Sequence, residues 1–289
     1  MEIKNSLDSK IMVKAPYNIL CELKKESDGS ISAKVKNEFL LPDECGPIGA
    51  AEAGRHLSIL GSIALSNTSD SENYYLAIQA DIFRKTLSTN YVETFHLQSK
   101  VIFQDNRTGT VSGNIFDENN NVIYTINVKY QILRPSLFSK LFNSFANTII
   151  IKNKINPYRN RKKLFDIIIV KDKISGVYGT VLSSECEGHF KDYPALPVAI
   201  ICNSFTELGL KLFLHHYSNE FTKAVGTHAN INANRLVFSG EYLTFRGETK
   251  RNNKSDKTMI FYFEALVNNK KVADAEFEIC GIKNIDNNK

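Results

Sequence analysis

The chain has 289 residues, which is enough for one large domain or two of ordinary size. Its residues are 43% hydrophobic and 23% charged, a composition that excludes an intrinsically disordered protein. The longest uninterrupted apolar run, Val198–Cys202, is far too short to cross a bilayer. The N-terminus, "MEIKNSLDSK", is polar and lacks the apolar segment of a signal peptide, so we expect a cytoplasmic protein without membrane insertion.

The formal net charge of +5 is concentrated in one segment, "KNKINPYRNRKK", at 152–163. We interpret this segment as a solvated linker, with a docking patch for an acidic partner as the alternative. No aromatic platform or nucleic-acid-binding motif accompanies it, so nucleic acid is not an expected partner. The five cysteines contain no C-x-x-C pair. We expect reduced, mostly buried thiols, with no disulfide framework, no metal site and no bound cofactor.

Seven segments of the first half have the composition of secondary-structure elements, and turn-forming residues separate them. In chain order they are two strands, 17–25 and 30–37; one helix, 49–66; and four long strands, 73–85, 92–104, 109–118 and 121–133. Between the first two strands lies the turn sequence "SDG". Short turns between consecutive strands predict an antiparallel sheet.

The second half repeats this order of elements. It contains two strands, 163–173 and 175–183; one helix, 195–218; and four strands, 226–238, 241–251, 258–269 and 271–282. Between the halves, 135–148 carries apolar residues at helical spacing, which predicts a linker helix. The predicted domains are an N-terminal unit at 1–134, a linker helix and basic linker at 135–162, and a C-terminal unit at 163–289.

The first predicted helix is rich in small residues, which would let a sheet wrap tightly around it. They are Gly49, Ala50, Ala51, Ala53, Gly54, Gly61 and Ala64. One central helix inside a curved antiparallel sheet, present twice, resembles the hotdog fold in tandem. The resemblance implies an α+β double hotdog in which the two halves form a pseudo-dimer within one chain, with further dimerisation left open.

The loop before the second helix, "GHFKDYPALP" (188–197), resembles the G-H-F-P-x-x-P-x-x-P loop of β-hydroxyacyl-acyl-carrier-protein dehydratases. Lys191 departs from that pattern where the family has proline, and Val198 departs where it has glycine. The resemblance implies that His189 is the base that removes a proton from the substrate, a task suited to imidazole near neutral pH. It also implies substrate contacts from loop residues, namely Gly188, Phe190, Tyr193, Pro197 and Val198.

At the helix position where this family carries its acid, the second half has Asn203. The first half has no loop histidine, but Glu52 lies on its helix, and we align Glu52 with Asn203. Because such sites pair a histidine from one hotdog with an acid from the other, we expect His189 and Glu52 to meet in one composite site. Gly49, His56 and Asn203 are further expected substrate contacts.

These residues predict a dehydratase that converts a 3-hydroxyacyl thioester, carried on acyl carrier protein or coenzyme A, into the trans-2-enoyl thioester. An acyl thioesterase of the hotdog fold is the alternative, and a non-catalytic acyl-binding hotdog is the second. Simpler interpretations stand beside them. The ring of His189 could bond a nearby carbonyl, and Arg55 could pair with Glu52.

Overall fold

The computed structural model describes residues 7–69, 71–88, 92–147 and 156–282. The first half contains β1 Cys21–Lys25, β2 Ile31–Lys36, α1 Ala50–Ser66, β3 Tyr74–Arg84, β4 Thr94–Gln104, β5 Thr108–Phe116 and β6 Val122–Leu133. The linker helix is α2 Pro135–Phe142. The second half contains β7 Phe165–Val170, β8 Lys173–Thr180, β9 Ala195–Leu196, α3 Val198–His216, β10 Lys223–Ala233, β11 Val237–Phe238, β12 Tyr242–Asn253, β13 Thr258–Val267 and β14 Lys270–Ile282.

Twelve of these strands form a single sheet whose order is mirrored about its centre. From one edge the first half contributes β1-β2-β4-β5-β6-β3, and the second half continues with β10-β14-β13-β12-β8-β7. The halves join where β3 pairs antiparallel with β10, from His228 opposite Phe83 to Asn232 opposite Gln79. The sheet therefore has the two-fold arrangement of a dimer although it is one chain.

Each central helix is buried by the sheet of its own half, and the two helices also contact each other. Every residue of α1 except Ser58 is buried, which explains its small side chains. By length and apolar composition α3 alone among the described helices could cross a bilayer, and most of it lies inside the fold.

Two glycines align the helices residue for residue. A side chain at Gly61 would meet Val111 of β5 and Tyr130 of β6, whereas one at Gly209 would meet Phe263 of β13 and Ile279 of β14. Because β5 and β6 occupy the same places in the first half as β13 and β14 in the second, Gly61 corresponds to Gly209. In the same alignment Ala50 corresponds to Val198, and these are the first residues of α1 and α3.

The predicted elements are present, but several bounds differ: the first strand begins at Cys21, and the strand predicted over 226–238 is divided into β10 and β11, which belong to different sheets. The helix predicted over 195–218 begins at Val198, because Ala195–Leu196 forms β9 with β11 and Pro197 caps the helix. The predicted linker helix ends at Phe142 and is followed by a 3₁₀ turn, Asn143–Phe145. The remainder of that prediction and the start of the basic segment, 148–155, lie outside the described residues.

The interpretation of the basic segment as solvated is wrong for two of its residues. Tyr158 is fully buried, and the side chain of Arg161 is 4% exposed. Tyr158 donates a hydrogen bond to the carbonyl of Glu187, 2.6 Å away, just before the G-H-F loop. The segment therefore anchors the second half's loop instead of only joining the halves.

We predict that Gly61→Ala destabilises the protein by about 1–3 kcal/mol, since the added methyl group would overlap the hydroxyl of buried Tyr130. That hydroxyl donates a hydrogen bond of 2.7 Å to the carbonyl of Ser58. Gly209→Ala is the matched control, because it meets a terminal methyl group of Ile279, at 2.7 Å. Urea unfolding of both variants measures the difference. Adding Tyr130→Phe to Gly61→Ala should recover part of the loss, and no recovery would contradict this account.

Candidate active site

A cavity of about 230 Å³ lies where the halves meet, between the facing sides of α1 and α3 and beside the joined strands β3 and β10. Most of its lining is apolar and comes from both halves, as in Ile59, Ile82, Ile126, Leu196, Ile201 and Ile231. Phe142 of α2 completes the lining from the linker. Concave, largely apolar cavities with few polar groups are typical of small-ligand sites.

His189 lines this cavity, and its ring is held in one orientation. Its Nδ1 lies 2.8 Å from the carbonyl oxygen of Ala195, which can only accept, so Nδ1 carries the proton and Nε2 the lone pair. The ring stacks on Phe190 at 4.0 Å and meets the edge of Tyr17 at 4.9 Å. Burial lowers the pKa of His189 to about 4, so the imidazole is neutral at physiological pH.

The loop that carries His189 is closed by the N-terminal segment. Lys14 donates its backbone N–H to the Gly188 carbonyl at 2.7 Å, and Val13 forms a β-bridge with His189. Gly188 has φ +79°, and a Cβ there would overlap the Lys14 carbonyl oxygen. The glycine of the G-H-F sequence is thus needed for backbone packing, and nothing places it against a substrate.

Glu52 lies in different surroundings from His189. Its Oε1 accepts from the backbone N–H of Glu38 at 2.9 Å and lies 3.4 Å from Nε2 of His56, and its Oε2 accepts from Arg161 at 3.0 Å. Burial raises the pKa of Glu52, but the hydrogen bond with His56 and the charges of Arg161 and Arg55 outweigh burial and hold it below its ordinary value. An ionised carboxylate has no proton to donate.

The expected meeting of His189 and Glu52 in one cleft is therefore not found, because Glu52 is absent from the cavity lining. The helix alignment explains why. With Gly61 on Gly209, Asn203 corresponds to Arg55, which lies three residues after Glu52 on α1, and Glu52 corresponds to Ile200. The role of Glu52 as an acid stays a prediction that these contacts do not favour.

Arg55 occupies the place on the cavity wall where we expected the acid. Its side chain is fully buried and forms an ion pair with Glu38. The rings of Tyr17 and Tyr158 flank its guanidinium carbon, with centroids at 5.5 and 5.1 Å. Its Nε and Nη1 atoms have no hydrogen-bond partner among the described residues. The possible Arg55–Glu52 pair is replaced by the Arg55–Glu38 pair.

The other expected substrate contacts divide into two groups. Phe190 and Val198 line the cavity. Those outside its lining are Gly188, Tyr193, Pro197, Gly49, His56 and Asn203. Tyr193 donates a hydrogen bond to Ser139 of α2 at 2.8 Å, and Pro197 caps α3, so both position other elements.

Three of these residues have structural surroundings on the helices. Gly49 precedes α1 and packs against the carboxylate of Glu44, which accepts a hydrogen bond from the first N–H of the helix. His56 is fully buried, and burial together with the charge of Arg55 lowers its pKa. Asn203 is buried on α3.

Sequence reasoning missed Tyr17 and Arg55, and it passed over Cys202, which also lines the cavity. Burial raises the pKa of Cys202 to about 12, so this group is a neutral thiol and a poor nucleophile. The sequence did not reveal Arg55, because the alignment of Gly61 with Gly209 follows from the contacts that the two glycines make across the sheet.

Several solved structures share the fold of this chain. The 12:0-acyl-carrier-protein thioesterase of Umbellularia californica is 9% identical, with a TM-score of 0.55 over 93% of this chain and 100% of that chain. The acyl-CoA thioesterase II TesB2 of Mycobacterium marinum is 11% identical, with a TM-score of 0.53 over 93% and 97%. An acyl-ACP thioesterase of Bacteroides thetaiotaomicron is 12% identical, with a TM-score of 0.52 over 89% and 100%.

The chain has the double-hotdog fold. No family model matches its sequence, and no curated protein matches it. At such low identity the double hotdog shares a fold with these structures, and its chemistry must be argued from its own cavity.

We predict that the stability of this double hotdog falls as the pH drops from about 6.5 to about 4. In that window the unfolded chain binds a proton at His189, whereas the folded protein, with the pKa lowered to about 4, does not. The free energy of unfolding should decrease by roughly 3 kcal/mol from this residue alone. Urea unfolding of the wild type and of His189→Asn at both pH values measures it. His56 adds to the pH dependence of stability in both proteins. An equal pH dependence in the wild type and the variant would therefore refute the assignment of this effect to His189.

Proposed function

We propose that this protein hydrolyses acyl thioesters. The observation that carries the proposal is the composition of the cavity lining: an apolar surface with a neutral histidine and, among the described residues, no aspartate or glutamate. Hydrolysis needs a group that removes a proton from water. Dehydration needs in addition an acid that protonates the departing hydroxyl group.

In the proposed reaction, Nε2 of His189 removes a proton from a water molecule while the oxygen of that water attacks the thioester carbonyl carbon. The new C–O bond moves the carbonyl electron pair onto oxygen, which becomes an oxyanion. Collapse of this intermediate breaks the C–S bond, and the departing thiolate takes the proton from the imidazolium. The step applies equally to acyl carrier protein and coenzyme A, because each carries the acyl group on a thiol.

The structure of the histidine itself supports this role. The hydrogen bond from Nδ1 to Ala195 leaves Nε2 unprotonated, and the lowered pKa keeps the ring neutral. The same bond stabilises the imidazolium while it exists, because a carbonyl oxygen attracts the proton on Nδ1.

Dehydration of a 3-hydroxyacyl thioester is the second candidate, and the G-H-F sequence around His189 favours it. It requires Glu52, or another acid, to reach the substrate. Arg55 cannot take the place of that acid, because a guanidinium does not release its proton at physiological pH. Glu52→Gln therefore tests this candidate directly. Full loss of turnover of a 3-hydroxyacyl thioester in a folded variant would favour dehydration.

We predict that His189→Gln lowers kcat for hydrolysis of a medium-chain acyl thioester by about 10²–10⁴-fold, the usual contribution of a general base. The wild-type kcat should stay constant from neutral pH down to about 5 and fall as His189 becomes protonated near its pKa of about 4. A stopped assay of free thiol measures both. Unchanged hydrolysis by the folded variant would exclude His189 as the base.

Crotonyl and 3-hydroxybutyryl thioesters distinguish the candidate functions. We expect thiol release from both, with the enoyl absorbance of the crotonyl thioester changing only as that thioester is cleaved. Loss of enoyl absorbance without thiol release would indicate hydration and exclude hydrolysis. Tight binding of an acyl ligand with no turnover of either compound would indicate an acyl-binding protein.

A further inference from the structure

The buried guanidinium of Arg55 has hydrogen-bonding capacity that the protein does not use. A guanidinium has five N–H donors. Nη2 donates to Glu38, whereas Nε and Nη1 have no partner among the described residues. Buried donors are normally paired, so two unpartnered nitrogen atoms with three N–H groups on one side chain need an explanation.

The cavity distinguishes Arg55 from other buried groups with unused donors. Nη1 of Arg161 and Nδ1 of His56 also lack partners among the described residues, but neither residue lines the cavity. Arg55 does, and so does Tyr75, whose hydroxyl group also lacks a partner among the described residues. Of these two lining residues only Arg55 is charged, so its unused donors are the ones suited to a negatively charged ligand group.

The buried charges around Arg55 are paired. Arg55 pairs with Glu38 and Arg161 with Glu52, whereas the third cation, Arg159, reaches Glu38 from a side chain that is 58% exposed. Since the lowered pKa of His56 keeps that ring neutral, the buried part of this cluster has no excess charge, and an oxyanion would be held by the unused N–H groups of Arg55.

Arg55 is also close to the proposed base. Tyr17 contacts both groups: the ring of His189 meets it at 4.9 Å, and the guanidinium carbon of Arg55 lies 5.5 Å from its centroid. The two lining groups therefore flank one part of the cavity, where a carbonyl could lie between a base and a cation.

We propose that Arg55 binds the acyl carbonyl oxygen of the substrate through its free N–H groups and stabilises the oxyanion that forms on it. This inference rests on the proposed function for its catalytic part. It also makes a statement about binding alone: the cavity should prefer a fatty acid carboxylate, the hydrolysis product, to an uncharged ligand of equal length. A charge-assisted hydrogen bond from a guanidinium N–H to a carboxylate is stronger than a hydrogen bond to an uncharged hydroxyl group.

Calorimetry with octanoate and octanol tests the binding statement without any turnover. We expect the wild type to bind octanoate at least about tenfold more tightly, the usual gain from a charge-assisted hydrogen bond. Arg55→Met together with Glu38→Gln should abolish this preference, because the pair is removed together and no lone charge is left buried. Glu38→Gln alone is the matched control: it leaves the buried charge of Arg55 without its partner, so it should be less stable than the wild type but keep the preference.

Equal affinities in the wild type, or a preference kept by the double variant, would overturn the proposal. If the double variant does not fold, Arg55→Lys serves, since lysine lacks the Nε–H and Nη1–H groups to which the proposal assigns the ligand. In that variant the preference should fall, and an unchanged preference would overturn the proposal.

Kinetics separate this proposal from the proposed function. Arg55→Lys should lower kcat by about 10²–10³-fold with little change in KM, as expected for an interaction made mainly in the transition state. Carboxylate preference in a protein that hydrolyses no thioester would refute the proposed function and keep the binding role of Arg55. Hydrolysis at the same rate in the wild type and the Arg55 variant would support the proposed function and refute the role of Arg55.

Discussion

The antiparallel pairing of β3 with β10 is the contact on which the rest of the molecule depends. It joins two half-sheets into one surface and brings α1 and α3 side by side, so that the cavity has a wall from each half. A side-chain contact strengthens the backbone ladder: His228 stacks on Phe83 at 4.4 Å and bonds Asp81 at 2.7 Å. Without this pairing His189 and Arg55 would belong to separate domains.

A second constraint comes from charge. The segment between the halves places Arg161 against Glu52 and Arg159 against Glu38, while Arg55 completes the cluster from α1. Buried charges are tolerated when they are paired, and removing one partner of such a pair is strongly destabilising. The same segment holds the loop of His189 through Tyr158. The cluster therefore ties the linker, the first helix and the second half's loop into one unit.

Much of the fold could be predicted from the sequence because its signals are local. Alternating and apolar runs predicted the strands, small residues predicted a buried α1, and the repeated order predicted the two-fold arrangement. The errors lie where partners distant in sequence decide. The end of the linker helix and the burial of Arg161 depend on packing against other elements, and no periodicity in the linker reveals them.

The candidate site divides in the same way. The sequence by itself determined the double hotdog and a histidine on a rigid loop before the second helix, since both follow from short-range patterns and from the G-H-F resemblance. Only the tertiary structure decided which residue of α1 faces that histidine. A helix turns about 100° per residue, so moving the alignment of the halves by three residues exchanges Glu52 for Arg55 and changes the direction of the side chain by about 60° around the helix. Contacts across the sheet fix that rotation, and they place Glu52 among arginines and Arg55 on the cavity wall.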